Sequence, residues 1–292
     1  MSQGEQTNMT DNPLYQSLLQ RRSIRRYNAQ HLHQADLDKV NDCINAIQPF
    51  LPHINVNIQL LDTGQELDLV KLVGAYGHLV TPPHALLPTS PDEPFALVEQ
   101  GYRMQQIVIH LYEQGIGSCY LGALGRQSQI QSRFGLPNSN ITGALLAFGN
   151  PAQSSPGRTF NTLFRTAIGS NKRLPLEDIF FSRSFDNPTT PPEQLNPILE
   201  AARFAPSAVN AQPWRFLLLD NTLYLFVTRK NKKYGISGQN YALFDGGICM
   251  ANITLAMHAL DINGRWQSLE DTEADALAYP QNLKPLAKQT FN

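Results

Sequence analysis

The chain reads as an α+β protein made of two related halves, because two ungapped self-matches recur in the same order along it. The first sets residues 25–62 over 183–220, pairing Arg25 with Arg183, Tyr27 with Phe185, Leu37 with Leu195, Val40 with Ile198, and Leu60-Leu61-Asp62 with Leu218-Leu219-Asp220. The second sets 101–120 over 247–266 and keeps Gly101/Gly247, Met104/Met250, Ile107/Ile253 and Ile116/Ile262. Only five of the 38 positions in the first match are identical. The weight therefore rests on shared order: an Arg-bearing turn, an amphipathic helix, a breaker, and an apolar strand ending in Asp. The expected division is 14–175 and 176–292, with paired apolar helices at a central interface and an internal pseudo-two-fold.

Taken in order, Leu14, Leu18 and Leu19 mark a short amphipathic helix, and the polar Met1–Asp11 stretch before it reads as a tail of about ten residues with no signal-peptide layout. Leu37 and Val40 belong to a second helix, and Val56–Leu61 to a strand. The matching helix of the second half is the better signalled. Thr190 and Glu193 have capping-box spacing, Pro191 suits a first helical position, Leu195, Ile198, Leu199 and Ala202 share a face, and Pro206 stops it. Trp214–Leu219 and Leu223–Thr228 predict a β-hairpin turning at Asp220-Asn221. Segments 101–120 and 247–266 predict largely buried helices of about four turns.

With 292 residues, 42% of them apolar and 16% charged, the chain can bury a substantial core. A net charge of −1 leaves no general field for phosphate backbones, so nucleic-acid binding is not expected. No window approaches the apolar length of a membrane span, and the expectation is a cytoplasmic protein. Cys43, Cys119 and Cys249 are scattered without a CxxC pair and read as reduced core thiols. His31, His33, His78 and His84 have no carboxylate or thiol at ligand spacing and read as loop histidines, so no metal is expected.

Two segments carry candidate chemistry. In Arg21-Arg22-Ser23-Ile24-Arg25-Arg26-Tyr27, four cations surround a hydroxyl. This is either a solvated basic helix end or a phosphate clamp, since guanidinium forks and a hydroxyl are groups that hold phosphate. Ala205-Pro206-Ser207-Ala208-Val209-Asn210-Ala211-Gln212-Pro213-Trp214 is a stiff turn of small residues between helix and strand, through which main chain can approach a flat ligand. Gly115–Gly122 lacks both the GxGxxG and GK[ST] patterns and follows a helix, which argues against a dinucleotide or P-loop fingerprint. Tyr76-Gly77-His78, Pro82-Pro83, Tyr241, Phe244 and Asp245 read equally as packing or as pocket wall.

At these residues the chain resembles the nitroreductase family, in its duplicated single-chain branch. The resemblance is carried by RRSxRxY at Arg21–Tyr27, APSxxNxQPW at Ala205–Trp214, Gly115-Ile116-Gly117-Ser118-Cys119-Tyr120-Leu121-Gly122, and Asn171-Lys172-Arg173-Leu174-Pro175 with Glu177, and it spans roughly 14–270. It implies a nitroreductase-like fold and FMN held between the halves. Arg21, Arg22 and Ser23 would take the phosphate and ribityl chain, with Arg173 closing on the phosphate. Arg25 would lie near the N1/O2 edge of the flavin, Leu121 and Gly122 near N5, and Pro206, Ser207, Ala208 and Asn210 against the ring from the other half. It further implies NAD(P)H as transient reductant and a small flat electron-poor acceptor. No catalytic acid or base is expected, because hydride chemistry belongs to the cofactor. The alternative is a flavin-binding or ligand-sensing protein without turnover.

The repeat also bears on stoichiometry. Positions matching Arg21, Arg22 and Ser23 are Ile179, Phe180 and Phe181, and those matching Pro206, Ser207 and Asn210 are Gln48, Pro49 and Pro52. Both losses fall on the same mirror site, so one FMN per chain is expected. A chain that carries its own pseudo-dimer interface is expected to be a monomer.

Overall fold

The computed structural model describes residues 11–62, 69–153, 172–230, 232–234, 239–269 and 271–291; the expected tail up to Thr10 and the motif residue Asn171 lie outside them. The apolar segments around Met104 and Met250 form the two longest helices among the described residues, α4 (Ala96–Glu113) and the later helix Ala242–Ala259, each of eighteen residues. Both begin five residues before the matched segments begin and end seven residues before those segments end, so they have about five turns and are shifted toward the N-terminus.

Around each lies the same succession of elements. The first set is α2 (Gln34–Ala46), β1 (Asn57–Asp62), β2 (His84–Pro91), α4, β3 (Gly117–Gly122) and β5 (Ala144–Gly149), with α3 (Leu69–Val73), α5 (Gln127–Phe134) and the short β4 (Asn140–Ile141) as additions. The second set is α6 (Asn196–Arg203), β7 (Trp214–Leu219), β8 (Thr222–Thr228), α7 (Ala242–Ala259), β9 (Gln267–Ser268) and β10 (Leu283–Thr290), with β6 (Phe180–Ser182) before it and α8 (Asp271–Asp275) inserted between β9 and β10. The sheet orders match, β1-β2-β5-β3 and β7-β8-β10-β9, with β6 added in parallel outside β7. The hairpin predicted at Asp220-Asn221 forms, with Asp220 at φ 50°. In the first half the partner strand β2 comes only after a long connection, which is why periodicity around β1 did not reveal it.

Strand alternation sorts side chains to two faces of each sheet. In the first sheet Leu86, Leu146 and Phe148 pack with Met104, Ile107 and Leu111 of α4, while Ala85, Leu87, Leu145 and Ala147 pack with Leu72 and Val80 on the other side. In the second, Phe216, Leu225 and Val227 join the main core, and Leu217, Phe226 and Leu283 form a separate outer cluster. One local prediction is corrected. Helix α6 starts at Asn196 with no side-chain cap, and Pro197, not Pro191, occupies its first turn, so the Thr190/Glu193 box is not formed. The face itself is as expected, with Ile198, Leu199 and Ala202 fully buried. Among the described residues no helix is long and apolar enough to cross a membrane.

Helices α4 and α7 cross where their backbones nearly touch. A Cβ on Gly101 would lie 2.1 Å from the Phe244 carbonyl oxygen, and one on Gly247 would lie 2.0 Å from that of Val98. The second self-match maps 98, 101 and 102 onto 244, 247 and 248, so each glycine meets in its partner helix the counterparts of its own neighbours. Such reciprocity is the signature of an isologous interface. Across it Gln105 donates to Asn252 at 2.8 Å, and Tyr102 to Thr254 at 3.1 Å.

Because both added methyls would meet backbone, Gly101→Ala and Gly247→Ala are each expected to destabilise the protein by about 3 kcal/mol in urea unfolding. A cost below about 1 kcal/mol for either would show that the helices can part cheaply at this point.

Candidate functional site

Helix α1 (Pro13–Gln20) starts on Asn12, whose side chain accepts from Leu14 N–H at 2.9 Å, with Pro13 in the first turn. It packs against the second half, where Tyr15 donates to the Pro197 carbonyl and Asn12 to that of Ala259, both at 3.0 Å. The next residues then return to the first half. Ile24 N–H donates to the Ser118 carbonyl at 2.9 Å, and Ile24 packs on β3 at Gly117, where any Cβ would clash with it. Between these two anchorages run Arg21, Arg22 and Ser23, which are thereby held at the junction of the halves.

Arg21 is 6% exposed, with its guanidinium 3.4 Å from the Ser23 hydroxyl. Arg22 donates to the carbonyls of Leu19 and Arg21 and lies 5.9 Å from the centre of the Phe204 ring. Arg173 and Arg203 lie 5.6 and 5.3 Å from the same ring. Burial pushes Arg21 down to about 10, opposed by Tyr120 and Cys119 and helped to a smaller extent by repulsion from Arg22 and Arg25. Burial and then Arg21, Arg22 and Arg203 push Arg173 down to about 9. Both remain cations at neutral pH. Arg203 pairs with Glu200, but among the described residues no carboxylate pairs with Arg21, Arg22 or Arg173. Three converging cations without an anion form a site that a doubly charged, oxygen-rich group would stabilise.

The small-residue loop follows α6. Val209, Asn210 and Gln212 all have positive φ, at 48°, 54° and 48°. Val209 is 48% exposed, and Asn210 is buried. Gln212 N–H donates to Ser207 Oγ at 2.9 Å, Lys233 donates to the Asn210 carbonyl at 3.1 Å, and both carboxylate oxygens of Asp245 accept from Ala208 N–H at 3.2 and 3.1 Å. The Asn210 side chain faces the 172–174 segment: its Oδ1 accepts from Arg173 at 2.9 Å and its Nδ2 donates to the Lys172 carbonyl at 2.8 Å. Arg173 also donates to the carbonyls of Ala205 and Phe204.

The remaining site candidates are placed as follows. Arg25 is 5% exposed in the same segment as Arg21. Leu121 has its side chain wholly in the core, leaving only main chain to face a ligand. Gly122 is exposed, and a Cβ there would lie 2.5 Å from the Tyr241 hydroxyl. Tyr241 is one helical turn before Asp245, which donates its N–H to the Tyr241 carbonyl at 2.8 Å. Gly122, Tyr241, Asp245 and Ala208 therefore form one continuous wall across the two halves.

Sequence reading left Asp245 undecided and passed over Phe204 and Glu99. A signal for the carboxylates was present, because extending the second self-match by two residues pairs Glu99 with Asp245. Glu99 does the corresponding work in the other half, accepting from Leu51 N–H at 2.7 Å and from Phe50 N–H, and Phe50 is the counterpart of Ala208. Burial raises the Glu99 carboxyl above its usual range, opposed by Arg103. Phe204 had no such signal, since its role depends on Arg22 and Arg173, both distant in sequence.

A family model described as "Putative TM nitroreductase" matches residues 13–257. Among solved structures, a putative nitroreductase from Thermotoga maritima is 16% identical, covers 96% of this chain and 94% of its own, and superposes with a TM-score of 0.57, which is a likeness of fold. A nitroreductase family protein from Clostridium novyi NT is 18% identical over 49% of this chain and 87% of its own, with a TM-score of 0.41. An FMN-dependent nitroreductase from Clostridium difficile is 16% identical over 48% and 88%, with a TM-score of 0.40. No curated protein matches the chain.

Since Arg21 is a buried cation with no carboxylate partner among the described residues, Arg21→Met is expected to stabilise the ligand-free protein by about 1 kcal/mol while removing anion binding. Urea unfolding without ligand checks this; a destabilised variant would mean that Arg21 is held by favourable partners rather than poised for an anion.

Proposed function

Because the chain belongs to the TM nitroreductase family, we propose that it is an FMN-dependent oxidoreductase that takes hydride from NAD(P)H and reduces a flat electron-poor acceptor such as a nitroaromatic or quinone. The observation that carries this reading is the gathering of the buried Arg21 with Arg22 and Arg173, the latter two over the Phe204 ring, with no carboxylate among the described residues to balance them. A flavin phosphate fits that charge deficit, and the adjoining wall of Gly122 and the small-residue loop fits a flat ring. FMN bound there would supply reversible hydride acceptance, which needs no protein nucleophile.

The chain's own residues then bind, orient and tune. Arg21, Arg22, Ser23 and Arg173 would hold the phosphate. Arg25, a buried cation in the same segment, would favour the negative charge that reduced flavin gathers. Pro206, Ser207 and Ala208 present short side chains and so admit close approach of main chain, as do Gly122 and the backbone of Leu121.

We read the two halves as a duplicated pair forming an internal pseudo-dimer with one working site. At the mirror positions Ile179 and Phe180 are fully buried. Phe50 stands where the ring loop has Ala208, with its ring 6.4 Å from Phe95 and 6.0 Å from Tyr102. Phe95 is the counterpart of Tyr241. Aromatic side chains thus occupy on one side the volume that a methyl group leaves open on the other.

Saturation with FMN, desalting and quantification of bound flavin is expected to give one FMN per chain, abolished by Arg21→Ala combined with Ser23→Ala. Two per chain would overturn the filled mirror site, and none would overturn the FMN reading. Anaerobic NADPH or NADH is expected to bleach the bound flavin. Failure of both to do so would favour a flavin-binding sensor over an enzyme.

A further inference from the structure

We propose that Asn210 and Gln212 act as positioning residues for the phosphate end of the ligand, through Arg173, rather than as contacts to the flavin ring. The inference rests on the FMN reading above and deepens it. Both side chains lie in the ring loop, and the family resemblance places Asn210 against the ring. In this structure they are spent on another strand of chain. Asn210 accepts from Arg173 and donates to the Lys172 carbonyl, while Gln212 donates to the same carbonyl at 3.2 Å and accepts from Leu174 N–H at 2.9 Å.

Residues 172–174 are thus gripped on both sides of Arg173. Two amides sharing one carbonyl and bonding the next-but-one N–H fix the path of the backbone, and the bond to Nη1 fixes the direction of the guanidinium. Asn210 is 5% exposed and Gln212 1%, so water cannot replace these bonds cheaply. The guanidinium so directed faces the repulsion of Arg21 and Arg22 and shares the Phe204 ring with Arg22. Left unheld, a cation in that field would turn away toward solvent. The amides oppose this and keep Arg173 within the cluster before any anion arrives, which is preorganisation of an electrostatic site.

The test compares FMN with riboflavin, which carries the same ring without the phosphate, by quenching of flavin fluorescence. Asn210→Gly and Gln212→Gly remove the side chains at positions whose positive φ glycine accepts without strain. Wild type is expected to bind FMN far more tightly than riboflavin. Each variant is expected to lose about tenfold or more in FMN affinity, the worth of one charge-assisted bond, with riboflavin affinity changed less than about twofold. Arg173→Ala should show the same selective loss, and adding Asn210→Gly to it should cost FMN nothing further.

Equal loss of FMN and riboflavin would overturn the proposal in favour of a ring contact, and retention of full FMN affinity would overturn it as well. A wild type that binds neither flavin, or both alike, would instead overturn the FMN site itself. Thermal midpoints are recorded alongside, and if Asn210→Gly does not fold, Gln212→Gly carries the same comparison.

Discussion

Two helices whose backbones touch at Gly101 and Gly247 have little freedom left to slide or rotate, and the rest of the molecule is arranged around that constraint. Each glycine admits a carbonyl of the other helix into the space a side chain would fill. The crossing fixes how far apart the two sheets lie, because each sheet packs its apolar strand faces on one of these helices. It also sets where the N-terminal turns of the helices fall. There Glu99 and Asp245 emerge, each within reach of the backbone of a loop in its own half. Without the close crossing these carboxylates and the loops they hold would have no common frame.

On that frame the two sides differ in their side chains. The two carboxylates hold equivalent loops, yet one loop carries Phe50 and the other Ala208. A phenyl ring in the first closes its surroundings with Phe95 and Tyr102. A methyl in the second leaves a wall of main chain beside Gly122 and Tyr241. The basic segment differs in the opposite sense, with arginines at 21 and 22 and the buried apolar Ile179 and Phe180 at the matched positions. Helix α1 makes these differences cooperate. It rests on helices of the second half through Tyr15 and Asn12, so that Arg22 is presented to Phe204 across the junction, with Arg21 buried beside it.

Much of this was legible before the structure. Paired apolar helices, the β7–β8 hairpin and α1 are local patterns with strong periodicity; the hairpin and α1 appear within a few residues of their expected places, and the paired helices lie five to seven residues N-terminal of theirs. What sequence could not supply is where pieces remote along the chain meet. Strand β2 was hidden because its connection to β1 is long, and the start of α6 was misplaced because Pro197 outcompetes a capping box that tertiary packing does not use. The motif residues were legible as segments, but which neighbours each side chain meets was not. Leu121 faces the core, and Asn210 faces Arg173. Asp245 became interpretable only when its counterpart Glu99 was seen making the same bond.

The ring loop shows how such an arrangement persists against its own cost. Three non-glycine residues with positive φ within four positions each cost roughly 1–2 kcal/mol relative to ordinary backbone, and for β-branched Val209 the conformation is especially unfavourable. Left to local preference the loop would relax. It is held by Asp245 at Ala208, Ser207 at Gln212, Lys233 at Asn210, and the side chains of Asn210 and Gln212 on the 172–174 segment. Each bond is of ordinary strength, about 1 kcal/mol net, so no single one offsets the strain. Several of them also anchor Arg173. The strained wall and the cation cluster are therefore not two sites that happen to adjoin. They share the same hydrogen bonds, and a change that frees Arg173 removes part of what keeps the loop in its unfavourable shape.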